Sequence, residues 1–243
     1  MASTETIFPA LLRRYHHSSK DLLNSLVMVF PLLVLYHLGL FFTGGIRNGV
    51  DFLSDLLLFL GSGDPWLYLT VHLLLVLTMV GALFWLRRRR YFALRCWPYL
   101  VLESLIYALF FGNAVLLLMG TFHPGLALST GYHPSGFLEV MVLSLGAGVF
   151  EELVFRLFLF SGGVWLLGRF GSWPAWLSIP VMLLVSSLLF SALHHVGPLG
   201  DPFSPEIFAF RFFAGLLLGL LFWTRGLAAA VYTHFLYDLL VML

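Results

Sequence analysis

The chain has 243 residues, of which 60% are hydrophobic and 10% charged, with a formal net charge of +1. Soluble domains carry about a quarter charged residues, so this composition, with a mean hydropathy of +0.95, excludes one and describes a polytopic membrane protein. The single cysteine, Cys96, excludes an internal disulfide and any multi-cysteine metal site, and reads as a small buried hydrophobe.

A helix that crosses a bilayer needs about 20 apolar residues. In chain order, seven segments qualify: 24–43, 66–86, 98–120, 137–160, 174–196, 206–224 and 227–243. Backbone polar groups in lipid must be satisfied internally, so the expected fold is all-α, a polytopic transmembrane helical bundle of seven or eight spans. The first apolar run is too long for a signal-peptide core and reads as a retained span. The run 52–60 is interrupted by Asp51 and Asp55 and reads as interfacial or re-entrant; an eighth span results if it crosses. Gly61-Ser62-Gly63-Asp64 and Tyr237-Asp238 match motifs of intramembrane aspartyl proteases. Their order is reversed, however, and the first lies before Pro65, where these residue types are turn chemistry. His123-Pro124 and His133-Pro134 read as ordinary turns. His37, His72, Glu103 and Asn113 read as bundle-facing polar groups without an assigned role. Gly215-x-x-x-Gly219 permits close helix approach within the bundle.

Basic residues cluster at Arg13, Arg14 and Lys20, at Arg87 to Arg90 with Arg95, at Arg169 and at Arg225. With seven spans these all fall on one side, and only Arg47 falls on the other. The positive-inside rule then puts the N-terminus in the cytoplasm and the loops 121–136 and 197–205 outside.

Three polar clusters lie inside apolar segments: Glu151-Glu152-x-x-x-Arg156, Phe190-x-x-x-His194 and His234-x-x-x-Asp238. An ionisable side chain near the bilayer centre costs roughly 2.5 to 3.5 kcal/mol, so these groups mark a polar cavity with a function. Residues four apart share a helix face. Glu152 and Arg156 are so spaced and can neutralise one another, which leaves Glu151 outside that pair and suited to act as a general base. At about 1.5 Å per residue, Glu151 and His234 meet near mid-membrane, whereas His194 comes near the outer end of its span. A tilted fifth helix, or a fourth helix starting later than residue 137, would join them. Two histidines and a glutamate can bind a metal. They can equally activate water, with the imidazoles donating to a developing oxyanion. Spacing leaves both open, while the soluble-type His-Glu-x-x-His arrangement is absent.

These three motifs, in this order, resemble the CPBP family: type II CAAX prenyl endopeptidases and bacteriocin-processing or immunity proteins, also called Abi. The segment Ala214–Gly226 is also similar to its members, and the resemblance covers roughly residues 137–243. It implies a helical-bundle intramembrane endopeptidase in which Glu151 activates water and Glu152 and Arg156 support the site. His194 and His234 would bind metal or stabilise the oxyanion, and Asp238 stands where members carry Asn or Asp. The metal-ligand set implied is Glu151, His194 and His234, for a divalent ion such as zinc; a metal-free mechanism is also compatible with the family. Two departures are Leu157, where Gly is common, and His195, which follows His194; only His194 lies four residues from Phe190.

The expected organisation is an accessory set of helices over 1–130 and a catalytic core over 131–243. The expected reaction is hydrolysis of a peptide bond near the C-terminus of a membrane-associated or lipidated protein by glutamate-activated water. The partners are then a membrane protein or lipidated peptide substrate and the lipid bilayer, with no nucleic acid. A non-catalytic immunity or scaffold protein is the alternative. An ion-coupled transporter fits less well, because internal repeats are missing and the charged clusters all fall in the second half.

Overall fold

The computed structural model describes residues 15–44, 50–51, 54, 64–88, 96–120, 136–196 and 200–243. Among them there are helices and no strand. Helix α1 (Leu22–Phe42) starts where the Asp21 side chain accepts the Asn24 N–H at 2.9 Å. Helix α2 (Pro65–Arg88) begins with a proline, whose missing N–H costs nothing in the first turn, and Asp64 caps the Trp66 N–H. Helix α3 spans Trp97–Leu118, and α4 spans Phe137–Gly146.

From Ala147 to Ser161 the chain continues as a π-helix, then as α5 (Gly162–Phe170). Helix α6 (Ala175–Leu193) follows Pro174, and α7 (Pro205–Arg225) is capped by Ser204. Gly226 has φ 92, a conformation that side chains disfavour, and reverses the chain within one residue into α8 (Leu227–Met242). Each of the seven apolar segments is thus helical. Four of the helices described, α1, α3, α6 and α7, are long and apolar enough to cross a membrane, and α8 is a shorter apolar helix. The protein is an integral membrane protein.

Asp55, Gly61–Gly63, His123, His133 and Arg47 lie outside the described residues. The fourth helix begins at Phe137 as expected, so a late start does not explain how its glutamates reach the other clusters. Asn113 is exposed rather than bundle-facing, whereas His37 is buried against Tyr36 and Phe150.

Helix α8 is the axis of the bundle. Leu227 through Val231 are all but inaccessible, and the alanine run 228–230 lets neighbouring helices approach closely. One cluster joins Met28, Val29 and Tyr36 of α1 and Leu100 of α3 to Val142, Val149, Ala229 and Val231. A second joins Phe111 and Val115 of α3 to Phe210, Ala214 and Leu218 of α7 and to Tyr237 of α8. The π-helix crosses α8 closely at Gly148, where a Cβ would lie 2.7 Å from Phe235 Cβ and 2.9 Å from the Val231 carbonyl oxygen. Only glycine lets the π-helical backbone rest directly on α8 there. Gly215 and Gly219 serve the same purpose between α7 and α6, against Ser187 and Leu183.

At one end of the bundle Tyr15, Glu103 and Arg225 meet. The Arg225 Nε and Nη2 atoms both donate to the Glu103 carboxylate at 2.7 Å, and Tyr15 donates to it as well. Two of the basic segments, the N-terminal stretch and the α7–α8 turn, thus meet at one end of the fold.

Candidate active site

The three polar clusters converge. From the π-helix, Glu151 and Glu152 project into the interior, 5% and 0% exposed, with Arg156 at 1%. The wider winding of a π-helix is rare and concentrates at functional sites. Glu152 Oε1 lies 3.2 Å from Arg156 Nη1, so the expected pair forms. Arg156 also donates from Nη2 to the Gly215 carbonyl of α7 at 3.3 Å. Its guanidinium lies over the Phe190 ring, 4.4 Å from the centroid. A buried guanidinium is thus held by a carboxylate, a carbonyl and an aromatic face.

The same Glu152 oxygen accepts from His234 Nδ1 at 2.8 Å. Spacing alone missed this second role of Glu152, because it depends on α8 crossing the π-helix at Gly148. With Nδ1 engaged, His234 turns Nε2 toward Glu151 Oε2 at 3.9 Å and Asp238 Oδ2 at 3.5 Å.

His194 stands at the C-terminal end of α6, just past Leu193. Its Nδ1 donates to the Phe190 carbonyl at 2.7 Å, one turn back, and its Nε2 lies 3.6 Å from Glu151 Oε2. The neighbouring His195 points elsewhere: Nδ1 donates to the Asp201 carbonyl, and the ring stacks on Phe208. The Phe190 ring packs on both site imidazoles, with centroids 4.8 Å from His194 and 6.0 Å from His234.

Glu151, His194, His234 and Asp238 therefore face a common point, backed by the Glu152–Arg156 pair. Both imidazoles offer Nε2 to one carboxylate oxygen, so a proton or a water between them is needed to avoid opposing lone pairs. This is a site that can hold and polarise a water molecule. The donor types suit a divalent metal, yet among the described residues no group of three His, Cys, Asp or Glu side chains is arranged to hold one.

Cys96, the N-terminal cap residue of α3, packs beside the core cluster of Met28 and Leu100. Two further charged pairs were not anticipated. Arg211 meets Asp201 close to His194, and Arg225 meets Glu103. Both arginines lie within or at the end of an apolar segment, and that is the only signal the sequence offers.

Residues 133–240 match the family model described as Rce1-like, type II CAAX prenyl endopeptidase Rce1-like. The match supports the resemblance to the CPBP family over this part of the chain. The matched stretch contains the π-helix, α6, α7 and nearly all of α8, and with them every site residue named above. No curated protein and no solved structure matches the chain. The matched stretch is thus the part of the molecule that carries the polar cluster, while α1 and α3 supply much of the apolar packing around α8.

Proposed function

We propose that this protein is an intramembrane endopeptidase that hydrolyses a peptide bond near the C-terminus of a membrane-associated or lipidated protein, using water activated by Glu151. The observation that carries the proposal is the buried Glu151 Oε2 with the Nε2 atoms of His194 and His234 at 3.6 and 3.9 Å. Glu151 takes a proton from a water held among these three groups, and the hydroxide attacks the scissile carbonyl carbon. The carbonyl electron pair moves onto oxygen, where a protonated Nε2 of His234 donates to it. Collapse breaks the C–N bond, and Glu151 returns the proton to the leaving nitrogen. No acyl-enzyme forms. Glu152 orients His234 through Nδ1 and neutralises Arg156, Phe190 O orients His194, and Asp238 flanks Nε2 of His234.

The family description points to a prenylated, CAAX-type substrate. Residues 1–130 act as accessory helices and 131–243 as the catalytic core, in a bundle of seven or eight spans with the N-terminus cytoplasmic. A second reading adds a divalent metal such as zinc. It is favoured by the Nδ1 hydrogen bonds that leave both Nε2 atoms toward Glu151, as in metal-ligating histidines. Glu151, His194 and His234 would have to rearrange to hold the ion, which would supply Lewis-acid polarisation of the scissile carbonyl.

The test is cleavage of an S-farnesyl peptide by the protein reconstituted in vesicles, in metal-free buffer and with chelator followed by zinc. Cleavage without metal supports glutamate-activated water. Loss on chelation with recovery on zinc supports the metal reading. A stoichiometric acyl-enzyme trapped by hydroxylamine defeats both.

A further inference from the structure

Helices α6 and α7 pack as an antiparallel pair. Ser191 Oγ donates to the Phe208 carbonyl at 2.7 Å, and further along Gly215 rests on Ser187 while its carbonyl accepts from Arg156. Arg211 lies three residues after Phe208 and four before Gly215, so all three share one face of α7. It sits about one turn, or about 5.4 Å, from Gly215, toward the end where the Asp201 N–H donates to the His194 carbonyl at 2.9 Å. Its charge is within electrostatic reach of both His194 and Asp238.

The guanidinium is only 15% exposed and pairs through Nη2 with Asp201, itself 10% exposed. Its Nη1 atom is buried and has no hydrogen-bond partner among the described residues. A buried guanidinium with an unused N–H edge beside a hydrolytic site is equipped to receive a planar anion in two-point fashion.

We propose that Arg211 binds the free α-carboxylate at the C-terminus of the substrate, so that the scissile bond is measured from that end. The inference rests on the endopeptidase reading given above. A peptide tail that enters the bundle to reach Glu151 must bury its terminal carboxylate, and a buried charge is tolerated only when compensated. Arg211 supplies the compensation. An extended chain covers about 3.3 Å per residue, so a carboxylate held by Arg211, whose partner Asp201 bonds the His194 carbonyl, sets the cut a few residues from the end. Asp201 holds the guanidinium in place and competes weakly for it when the tail arrives.

The test uses the full-length protein in detergent and one probe in two forms: an S-farnesyl cysteine followed by three apolar residues, as the free acid and as the C-terminal amide. Binding is measured directly, and cleavage in parallel. The wild type is expected to bind the acid about tenfold or more tightly than the amide. R211Q should reduce that ratio to near one, R211K should restore part of it, and D201N should raise it. The double variant D201N/R211Q leaves no carboxylate uncompensated and serves if R211Q alone does not fold; its ratio should also be near one. Equal binding of the two forms by the wild type, no binding of either, or an unchanged ratio in R211Q overturns the proposal. Arg211-dependent preference for the acid without cleavage sustains it and defeats the endopeptidase reading instead.

Discussion

Glu103 and Glu152 are both carboxylates drawn into the bundle by an arginine, yet their surroundings are finished differently. Glu103 accepts from Arg225 twice, from Tyr107 at 2.7 Å and from Tyr15, so both of its oxygens are used. Burial, reinforced by that carboxylate, raises the pKa of the Tyr15 phenol well above its usual range and keeps it a donor. This cluster fastens the N-terminal segment to α3 and to the α7–α8 turn. Glu152 is inaccessible, but it carries two partners, Arg156 and His234, on the single oxygen Oε1. Its Oε2 and the Arg156 Nη1 lack a hydrogen bond among the described residues. A partly satisfied polar network in a dry interior costs stability. Its persistence beside Glu151 and two imidazoles fits a site held for chemistry rather than for fastening.

Substitutions should separate the two clusters. The largest effect belongs to Glu151→Ala, which should lower cleavage by about 10²- to 10⁴-fold while thermal unfolding stays near wild type. Unfolding at a much lower temperature would instead make Glu151 a structural partner like Glu103.

Glu152→Ala should cost both properties. It leaves the buried Arg156 uncompensated, about 3 to 5 kcal/mol of stability, and frees His234 from its orientation. A stable, folded Glu152→Ala protein, seen by size-exclusion yield and melting, would exchange the roles of the two glutamates.

Glu103→Ala probes the fastening cluster alone. We expect a loss of about 1 to 3 kcal/mol with kcat little changed in the fraction that remains folded. A large fall in kcat would tie this cluster to the chemistry.

Gly148→Val tests the crossing that brings Glu152 to His234. The added side chain meets Phe235 and the Val231 carbonyl, and overpacking of this kind costs about 1 to 3 kcal/mol. Activity should fall further than the melting temperature alone accounts for, because the imidazole moves away from both glutamates. Equal losses in activity and folded fraction would mean that the crossing only packs.

The smallest effect is expected from His195→Ala, because its ring faces Phe208 and Asp201 rather than Glu151. The matching His194→Ala should be far more damaging, and comparable rates for the two variants would remove His194 from the site.

Some of this was legible in the sequence. The positions of Glu151, His194 and His234 inside apolar runs already pointed to a cavity, because a charge in lipid is costly wherever the helices run. The choice of His194 over His195 followed from its distance to Phe190, and the structure shows the link as Nδ1 to the Phe190 carbonyl. The Glu152–Arg156 pair was legible from its i, i+4 spacing even though the segment is wound as a π-helix, because a long arginine side chain absorbs the difference. Arg211 and Asp201 were not legible: they are ten residues apart, with the start of α7 between them.

What the sequence determined by itself is the all-helical, membrane-embedded character and the order of the helices. Apolar length and the need for internal backbone hydrogen bonds act locally, residue by residue. Only the tertiary structure decided the π-winding from Ala147 to Ser161, the sharing of Glu152 Oε1 between Arg156 and His234, and the meeting of Tyr15, Glu103 and Arg225. Each of these depends on how closely two backbones approach, as at Gly148 against α8 and Gly226 against Lys20. Close approach is a property of pairs of helices, which no periodicity within a single helix encodes.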